Sequence, residues 1–316
     1  QREGEPTIIE QSAVVPKLFE KDLQLISNSR ENQIIFFSEE NSTTLYGYRY
    51  FDQITERKLA SWFKWELTGA IQYHCVQDDS LYVVVRNGSN NKDQLLKYAI
   101  KLDSNSPTVS EYRVHLDHVR ETSGWSYNTT TKKSSKAKTD AQFIGLESTN
   151  QLAVYDNSNN SSGTQNIGRY AKVTINGNNY EVDGDWSGES FLIGYLFTME
   201  VELPTLYYVT KSGEQFKSDT RSNTIIHRVK LGFGPVGVYE TKLKRLGKMD
   251  YTEEFQITAA DAYLANTAGI VNDEVLRTVP VYDRNINTTL TLKSTHPAPA
   301  TIHNVTWEGV LNNNFY

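Results

Sequence analysis

The alternation of apolar and polar residues along the chain predicts many short β-strands. In the stretch from residue 59 to 67, period-two spacing puts Phe63 and Trp65 on one side of a strand and Trp62 on the other. A helix would give only a smeared apolar stripe, so a half-buried strand is the better interpretation. Because Trp62 lies on the more polar side, it needs a cover, either from another layer of this chain or from another subunit.

Successive strands in the first 102 residues are predicted to form antiparallel meanders. "STTLYGYRYF" puts a stripe of tyrosines on one pleated face. "DSLYVVVRNGSNNKDQLLKYAIKL" predicts a hairpin of strands 80–86 and 94–102 with a turn around Asn87 and Gly88. Its first strand is apolar on both sides, so we expect it to lie between two neighbours. Meanders at this spacing suit a propeller blade or a sandwich, although no strict internal repeat supports either.

Composition divides the chain near its middle. Residues 121–140 are almost all polar, with clustered lysines, and predict an exposed loop or linker. This break separates a β-propeller-like part at 1–120 from a β-rich platform or nozzle part, partly sandwich-like, at 141–316. A second polar tract at 155–168 predicts a long surface turn.

The C-terminal half returns to strand patterns. "VYETKLKRLGK" and "NTTLTLKST" read as strands, and the alanine-rich residues 258–275 predict a short helix. "NTIIHRVKLGFG" alternates in the same way and places five side chains on one apolar face: Ile225, His227, Val229, Leu231 and Phe233. The whole chain is therefore predicted to be mainly β.

Length and charge restrict the class of protein. The 316 residues suffice for two domains or one large β domain, and the single cysteine, Cys75, excludes an internal disulfide framework. The net charge of -6 argues against a broadly nucleic-acid-binding surface, although DNA could slide past such an acidic wall without sticking. With a mean hydropathy of -0.53 and no long apolar run, we expect no stable membrane insertion, and no targeting peptide is visible at the start.

Three short motifs contain residue types that could form a chemical site. His115 and His118, around Asp117, would face opposite sides of a strand, so they fit a zinc site poorly. "VDGDWSGES" at residues 182–190 offers Asp183, Asp185 and Glu189 for calcium, but it lacks EF-hand spacing and reads better as a tight turn. His227, on an apolar strand face, is more typical of a core or interface histidine than of a catalyst.

No motif supplies a catalytic or cofactor site. The chain contains no nucleophile elbow, phosphate-binding glycine loop or dinucleotide fingerprint, so we assign no catalytic, cofactor-binding or metal-binding residue. The lysine cluster could touch DNA phosphates or an acidic partner, but a solvated loop is the simpler interpretation because no aromatic residues are interleaved with it. Its members are Lys132, Lys133, Lys136 and Lys138.

Several longer stretches, in this order and spacing, carry a resemblance to a known family. They are "YGYRYF", "SWFKWEL", "DSLYVVVR", "FLIGYLFTMEVELPTLYYV", "HRVKLGFGPVGVYE", "VPVYDRNIN" and "STHPAPATIHNVTWEGVLNN". With these stretches taken together, the chain resembles the tail nozzle proteins, or tail tubular proteins B, of short-tailed bacteriophages (podoviruses). Members of that family are longer than 316 residues, so the chain is expected to be a C-terminal portion or a partly resolved protein.

The resemblance implies a structural virion protein. Nozzle proteins of this kind form a homohexameric ring beneath the portal and the tail adaptor protein, help to seat the tail fibre protein, and build the distal channel through which viral DNA is ejected. They carry β-propeller-like and platform domains and no established catalytic residues, and they are assembled in the host cytoplasm before they reside in the phage tail. The alternative is a tail-associated glycan-binding or glycan-cleaving β protein, which would need paired carboxylates in an aromatic cleft or exposed aromatic platforms.

Overall fold

The chain folds into antiparallel β-sheets grouped in two compact units. Unit 1 comprises residues 1–106 and 147–149, and unit 2 comprises residues 107–146 and 150–316. In the described part the strands pair antiparallel throughout and the helical content is two short 3₁₀ turns, which confirms the mainly β class. The computed structural model describes residues 15, 18–19, 23–53, 56–87, 92–100, 114–146, 150–156, 169–188, 190–212, 215–220, 223–256 and 274–312.

Unit 1 contains a four-stranded and a three-stranded meander. In the first sheet the strands follow chain order: β1 (Leu25–Ser29), β2 (Ile34–Ser38), β3 (Thr44–Gln53) and β4 (Glu56–Glu66). The second sheet is also in chain order: β5 (Ala70–Gln77), β6 (Ser80–Asn87) and β7 (Lys92–Ala99). The predicted hairpin is confirmed, and the doubly apolar β6 is the central strand of its sheet, as expected.

Both sheets of unit 1 contribute to one apolar core. Phe36 and Leu45 from the first sheet and Ile71 and Val83 from the second are completely buried in it. Gly47 on β3 leaves room for the cross-strand Phe63, because a Cβ at position 47 would lie 2.1 Å from the Phe63 ring. The close approach of the aromatic ring to bare backbone accounts for the glycine in "YGYRYF".

Unit 2 begins with two four-stranded sheets that share a core of aromatic and branched residues, including Trp125, Trp186 and Phe191. One sheet has the order β13-β14-β10-β9 and the other β12-β11-β15-β8. Their strands are β8 (Asp117–Thr122), β9 (Ser126–Asn128), β10 (Lys133–Ala137), β11 (Leu152–Asp156), β12 (Arg169–Lys172), β13 (Thr174–Asn176), β14 (Asn179–Asp183) and β15 (Phe191–Tyr195). One 3₁₀ turn, Ala141–Phe143, follows β10.

The rest of unit 2, as far as the structure describes it, contains three sheets, of which the two larger ones share a second core. The sheet orders are β16-β23-β20-β21, β17-β18 and β22-β19-β24. Their strands are β16 (Met199–Glu202), β17 (Tyr208–Ser212), β18 (Gln215–Asp219), β19 (Asn223–Val236), β20 (Val238–Arg245), β21 (Tyr251–Gln256), β22 (Val275–Arg284), β23 (Thr288–Ser294) and β24 (Ala300–Asn312). The other 3₁₀ turn, Asn285–Asn287, joins β22 to β23.

Residues 121–140 differ from the linker or loop that their composition predicts. They contain β9 and β10, and Trp125 is buried in the unit 2 core, where its indole Nε1 donates a hydrogen bond to Thr122 Oγ1 at 3.0 Å. The polar residues of this stretch take part in strand pairing and in ion pairs across strands. Composition alone does not reveal these interactions. Residues 157–168 of the second polar tract and residues 258–273 of the predicted helix lie outside the described residues.

The predicted faces of β19 are wrong in part, because the strand contains a β-bulge. The pairing of β19 with both neighbours shifts between Ile226 and Arg228, so the period-two alternation changes phase at His227. As a result Ile226, rather than Ile225, joins Val229 in the core. Among the described residues, no helix has the length and apolar character needed to cross a membrane.

Candidate interaction surfaces

The aromatic residues around Trp62 cover one another on one face of the first sheet. The Trp62 ring lies 4.6 Å from that of Tyr48 and 5.8 Å from that of Phe37, measured between ring centroids. Phe19, from the segment preceding β1, stands edge-on to Trp62 at 5.1 Å and to Tyr46 at 5.0 Å. The cover that the sequence requires for Trp62 therefore comes from its own unit.

The opposite face of the same strand is also engaged in packing. The Trp65 ring lies 5.3 Å from the Phe63 ring and 5.7 Å from the Phe36 ring, and it reaches Tyr98 of the second sheet at 5.9 Å. Trp65 keeps 36% of its surface exposed. The "SWFKWEL" aromatics thus serve mainly to hold sheets together, which leaves little free ring surface for stacking a sugar.

The two histidines of the His115 to His118 motif are held apart by different contacts. The His115 side chain is exposed, while its backbone N–H donates to the carbonyl of Pro297 at 2.8 Å. His118 has a left-handed φ of 51° and packs edge-on against Tyr195. Burial lowers the pKa of His118, and the neighbouring Asp117 carboxylate partly opposes that shift. The motif is part of the framework of unit 2.

Residues 184–188 form the turn that the sequence predicts, directly after β14. Gly184 and Gly188 adopt left-handed φ angles of 92° and 83°. The Asp185 carboxylate accepts hydrogen bonds from both the backbone N–H and the hydroxyl of Ser187, at 2.9 and 2.6 Å. These bonds lower the pKa of Asp185. Glu189 lies outside the described residues.

His227 sits at the β-bulge of β19 and stacks on Tyr282. The two ring centroids are 5.9 Å apart with an interplanar angle of 24°, and Tyr282 itself has a left-handed φ of 48°. His227 is half-buried and does not belong to the unit 2 core. The prediction that His227 lies on the apolar face of β19 is therefore wrong, because the bulge shifts the alternation by one residue.

Three of the clustered lysines make contacts within unit 2. Lys133 Nζ lies 3.8 Å from a carboxylate oxygen of Glu181 and 3.7 Å from one of Asp183, on the neighbouring β14. Lys136 is largely buried and donates to the Ser123 carbonyl and, at 2.6 Å, to Gln142 Oε1. Lys138 Nζ stands 5.8 Å over the Tyr180 ring. With these contacts the cluster does not present a free basic patch for phosphates.

A buried serine and histidine join the two sheets of unit 1, a contact that sequence reasoning missed. Ser27 Oγ on β1 donates to the His74 carbonyl at 2.9 Å and lies 2.5 Å from His74 Nδ1 on β5. Burial lowers the pKa of His74 to about 4, and the Leu25 carbonyl acts in the opposite direction. Because both side chains are buried and no acid orients the imidazole among the described residues, the pair reads as a structural clamp.

A half-buried histidine joins parts of unit 2. His296, in the connection between β23 and β24, packs against Tyr170 at 4.7 Å and Tyr155 at 6.3 Å on the sheet that contains β11 and β12. Its Nδ1 accepts a hydrogen bond from the backbone N–H of Ala298 at 3.1 Å. Burial lowers the pKa of His296 to about 4, so the ring is neutral at pH 7.

The outer face of the β22-β19-β24 sheet is organised by ion pairs and glycines. Glu308 pairs with Arg228 at 2.8 Å and also with Lys230. Beside them, Gly232 accommodates the Asn304 side chain, since a Cβ at position 232 would lie 2.5 Å from Asn304 Oδ1. Gly232 and Gly234 of "LGFGPVG" therefore make room for Asn304 and His303 of β24, whereas a Cβ at Gly237 would lie 2.5 Å from that of Ala298.

Within the part of the chain that the structure describes, an apolar cavity in unit 2 has a volume of about 20 Å³, room for roughly one water. It is lined by Leu203, Pro204, Leu206, Ile226, Val229, Leu243, Val281, Thr288 and Leu290. In that part of the chain no group of three or more His, Cys, Asp or Glu residues could hold a metal ion.

Comparison with known proteins gives one extensive match. Residues 4–316 match the family model described as bacteriophage nozzle protein. Among curated protein sequences, no match is found.

Solved structures of a fungal enzyme show a weak likeness. The exo-β-1,3-galactanase from Phanerochaete chrysosporium with galactose is 9% identical, with 89% of this chain and 55% of that chain covered and a TM-score of 0.18. A variant of the same enzyme with β-1,3-galactotriose is 11% identical, with 90% and 57% covered and a TM-score of 0.18. The chain spans little more than half the length of these structures, and TM-scores this low carry no argument.

Proposed function

The chain belongs to the bacteriophage nozzle protein family, and from that membership we propose that it forms the nozzle ring of a short-tailed phage and the distal channel for genome ejection. The single observation that carries the proposal is the match over residues 4–316, almost the whole chain. It is a structural component of the phage tail, and its family is not one of enzymes. The role proposed here is mechanical and needs no catalytic residue.

The open edges of unit 2 support assembly with further subunits. In the described part, β24 is an edge strand of 13 residues, and such long edges tend to pair with another chain. The opposite edge, β22, contains Pro280 and the left-handed Tyr282, which interrupt pairing. A cyclic ring needs heterologous contacts between two different surfaces of each subunit. The interrupted edge at β22 and the continuous edge at β24 are two such different surfaces.

In the proposed assembly six copies close a ring that contacts the tail adaptor protein above and the tail fibre protein beside it. Viral DNA passes through its lumen. The net charge of -6 favours passage of DNA without tight binding, because phosphates gain no counterion release on an acidic wall. We further propose that the propeller-like part at 1–120 and the platform part at 141–316 divide these tasks, and that the ring assembles in the host cytoplasm before joining the virion.

The proposal is tested by the mass of the purified assembly. Mass photometry over a concentration series should reveal a six-subunit species, alone or after addition of the adaptor protein. A persistent monomer that also fails to enter tails would refute it.

The glycan-binding or glycan-cleaving alternative is tested on the same sample. Incubation with host surface polysaccharide should release no new reducing ends, and titration with glycans should leave the tryptophan fluorescence unchanged. Release of reducing ends, or a saturable change in fluorescence, would favour the alternative.

A further inference from the structure

Unit 2 carries the two most exposed large apolar side chains of the described residues, and they lie on one turn. Met249 is 89% exposed and Leu246 77%, and both lie on the turn between β20 and β21. Ile286, on the neighbouring 3₁₀ turn, is 67% exposed. We name the turn residues 246–250 together with residues 282–287 the apolar tip.

The two segments of the apolar tip are fixed side by side. The backbone N–H of Leu246 donates to the carbonyl of Asn287 at 2.9 Å. Lys248 Nζ donates to the Asp283 carboxylate at 2.7 Å. Gly247 has a left-handed φ of 75°, a conformation that suits a tight turn. Leu246, Met249 and Ile286 are thus exposed side chains on two adjacent turns that are joined by a hydrogen bond.

The surroundings of the apolar tip are basic although the chain is acidic. Lys248 and Asp250 are paired, with Asp283 and Lys242 respectively. Lys244 and Arg284 are exposed and make no ion pair within the described residues. The apolar tip and its flanking residues therefore combine uncompensated positive charge with the exposed Leu246, Met249 and Ile286, on a chain whose net charge is -6.

We propose that the apolar tip binds the surface of an anionic lipid bilayer, with the three apolar side chains among the headgroups and Lys244 and Arg284 against the lipid phosphates. Apolar side chains flanked by cations are the usual elements of interfacial membrane binding. A fluid surface adapts to exposed side chains on two adjacent turns. A protein partner is less well matched, because a few side chains cover only a few hundred Å², whereas a stable interface buries about 800 Å² on each partner.

The experiment is vesicle flotation of the full chain, in whatever assembly it forms. Vesicles of phosphatidylcholine are compared with vesicles that also contain phosphatidylglycerol. The chain should float with the anionic vesicles and less with the neutral ones. Leu246→Ser with Met249→Ser should weaken the partitioning by about tenfold or more, because most of the buried apolar area is removed. Lys244→Gln with Arg284→Gln should abolish the preference for anionic vesicles.

A matched control separates the apolar tip from general surface hydrophobicity. Leu95 and Ile144 are 68% and 67% exposed and lie elsewhere, so Leu95→Ser with Ile144→Ser should float like the unaltered chain. The proposal is overturned if the unaltered chain floats with neither vesicle type, if the tip variant floats normally, or if the control variant loses as much binding. Subunit assembly is measured in parallel. Loss of assembly in the tip variant would identify the apolar tip as a subunit contact and would also overturn the lipid proposal, whereas failure of lipid binding alone leaves the ring proposal standing.

Discussion

Single aromatic side chains contribute measurably to the unfolding free energy of unit 1. Trp62 fills the space between Phe19, Phe37 and Tyr48, so its removal leaves a gap that these rings cannot fully close. Large-to-small changes at such positions cost the lost transfer free energy and the cavity together.

Trp62→Ala should therefore lower the free energy of unfolding of unit 1 by roughly 2 to 4 kcal/mol, somewhat less than for a completely buried tryptophan. Urea denaturation followed by circular dichroism measures it. Tyr73→Ala, which removes a more exposed ring of the same unit, should cost less than about 1 kcal/mol. Equal losses in the two variants would contradict the packing role of Trp62.

Two histidines with lowered pKa values should make stability depend on pH. The pKa values of His74 and His296 are lowered to about 4 in the folded chain, from an ordinary value of 6.5. Between these two values the unfolded chain binds more protons, so the stabilisation present above pH 6.5 is lost as the pH falls towards 4. From pH 7 to pH 5 each histidine should cost roughly 1 to 2 kcal/mol.

The measurement is the slope of the unfolding free energy against pH. His74→Asn should flatten the slope for unit 1 and leave that of unit 2 unchanged. His115→Gln, which alters an exposed histidine, serves as the control and should leave both slopes as they are. If His74→Asn leaves the unit 1 slope unchanged, the buried neutral imidazole is not its source.

At the scale of elements, the strand pairing of the β22-β19-β24 sheet depends on Gly309, which lies against the backbone of β19. A Cβ at Gly309 would lie 2.2 Å from the carbonyl oxygen of Ile225, beside the bulge of β19. Backbone cannot turn away as a side chain can, so Gly309→Ala should destabilise unit 2 by about 1 to 3 kcal/mol. Thr306→Ala, on the same strand and exposed, should change the unfolding free energy by less than about 0.5 kcal/mol. Similar urea midpoints for the two variants would show that the strands can shift to admit the methyl group.

The elements also show where sequence periodicity succeeds and fails. The β6–β7 hairpin and the strand containing Trp62 follow from alternation, because regular strands with one buried face repeat every two residues. The phase of β19 beyond His227 does not follow, since a bulge inserts a residue without a mark in the apolar pattern. The strands within residues 121–140 were hidden because Lys133 and its partners pair across strands that are far apart in sequence.

The surfaces were harder to predict than the cores. Ser27 and His74 are separated by 47 positions, so no local pattern announces their contact. The apolar tip likewise combines a hairpin turn with a 3₁₀ turn from elsewhere in the chain. "KRLGKM" hints at it only through apolar residues beside a glycine turn. The family, by contrast, was recognisable from sequence, because its motifs extend over most of the chain and do not depend on three-dimensional geometry.

At the scale of the whole molecule, the central claim is that this family member acts by assembling into a closed ring. Its β22-β19-β24 sheet has an open edge at β24 and an interrupted edge at β22. Its buried polar groups stabilise the packing of the sheets. Electron microscopy of the purified chain, with the adaptor protein added if needed, tests the claim most directly. The account predicts rings of six subunits with a central channel wide enough for DNA. Particles that remain monomeric in the presence of the adaptor, or that close in pairs without a channel, would contradict it.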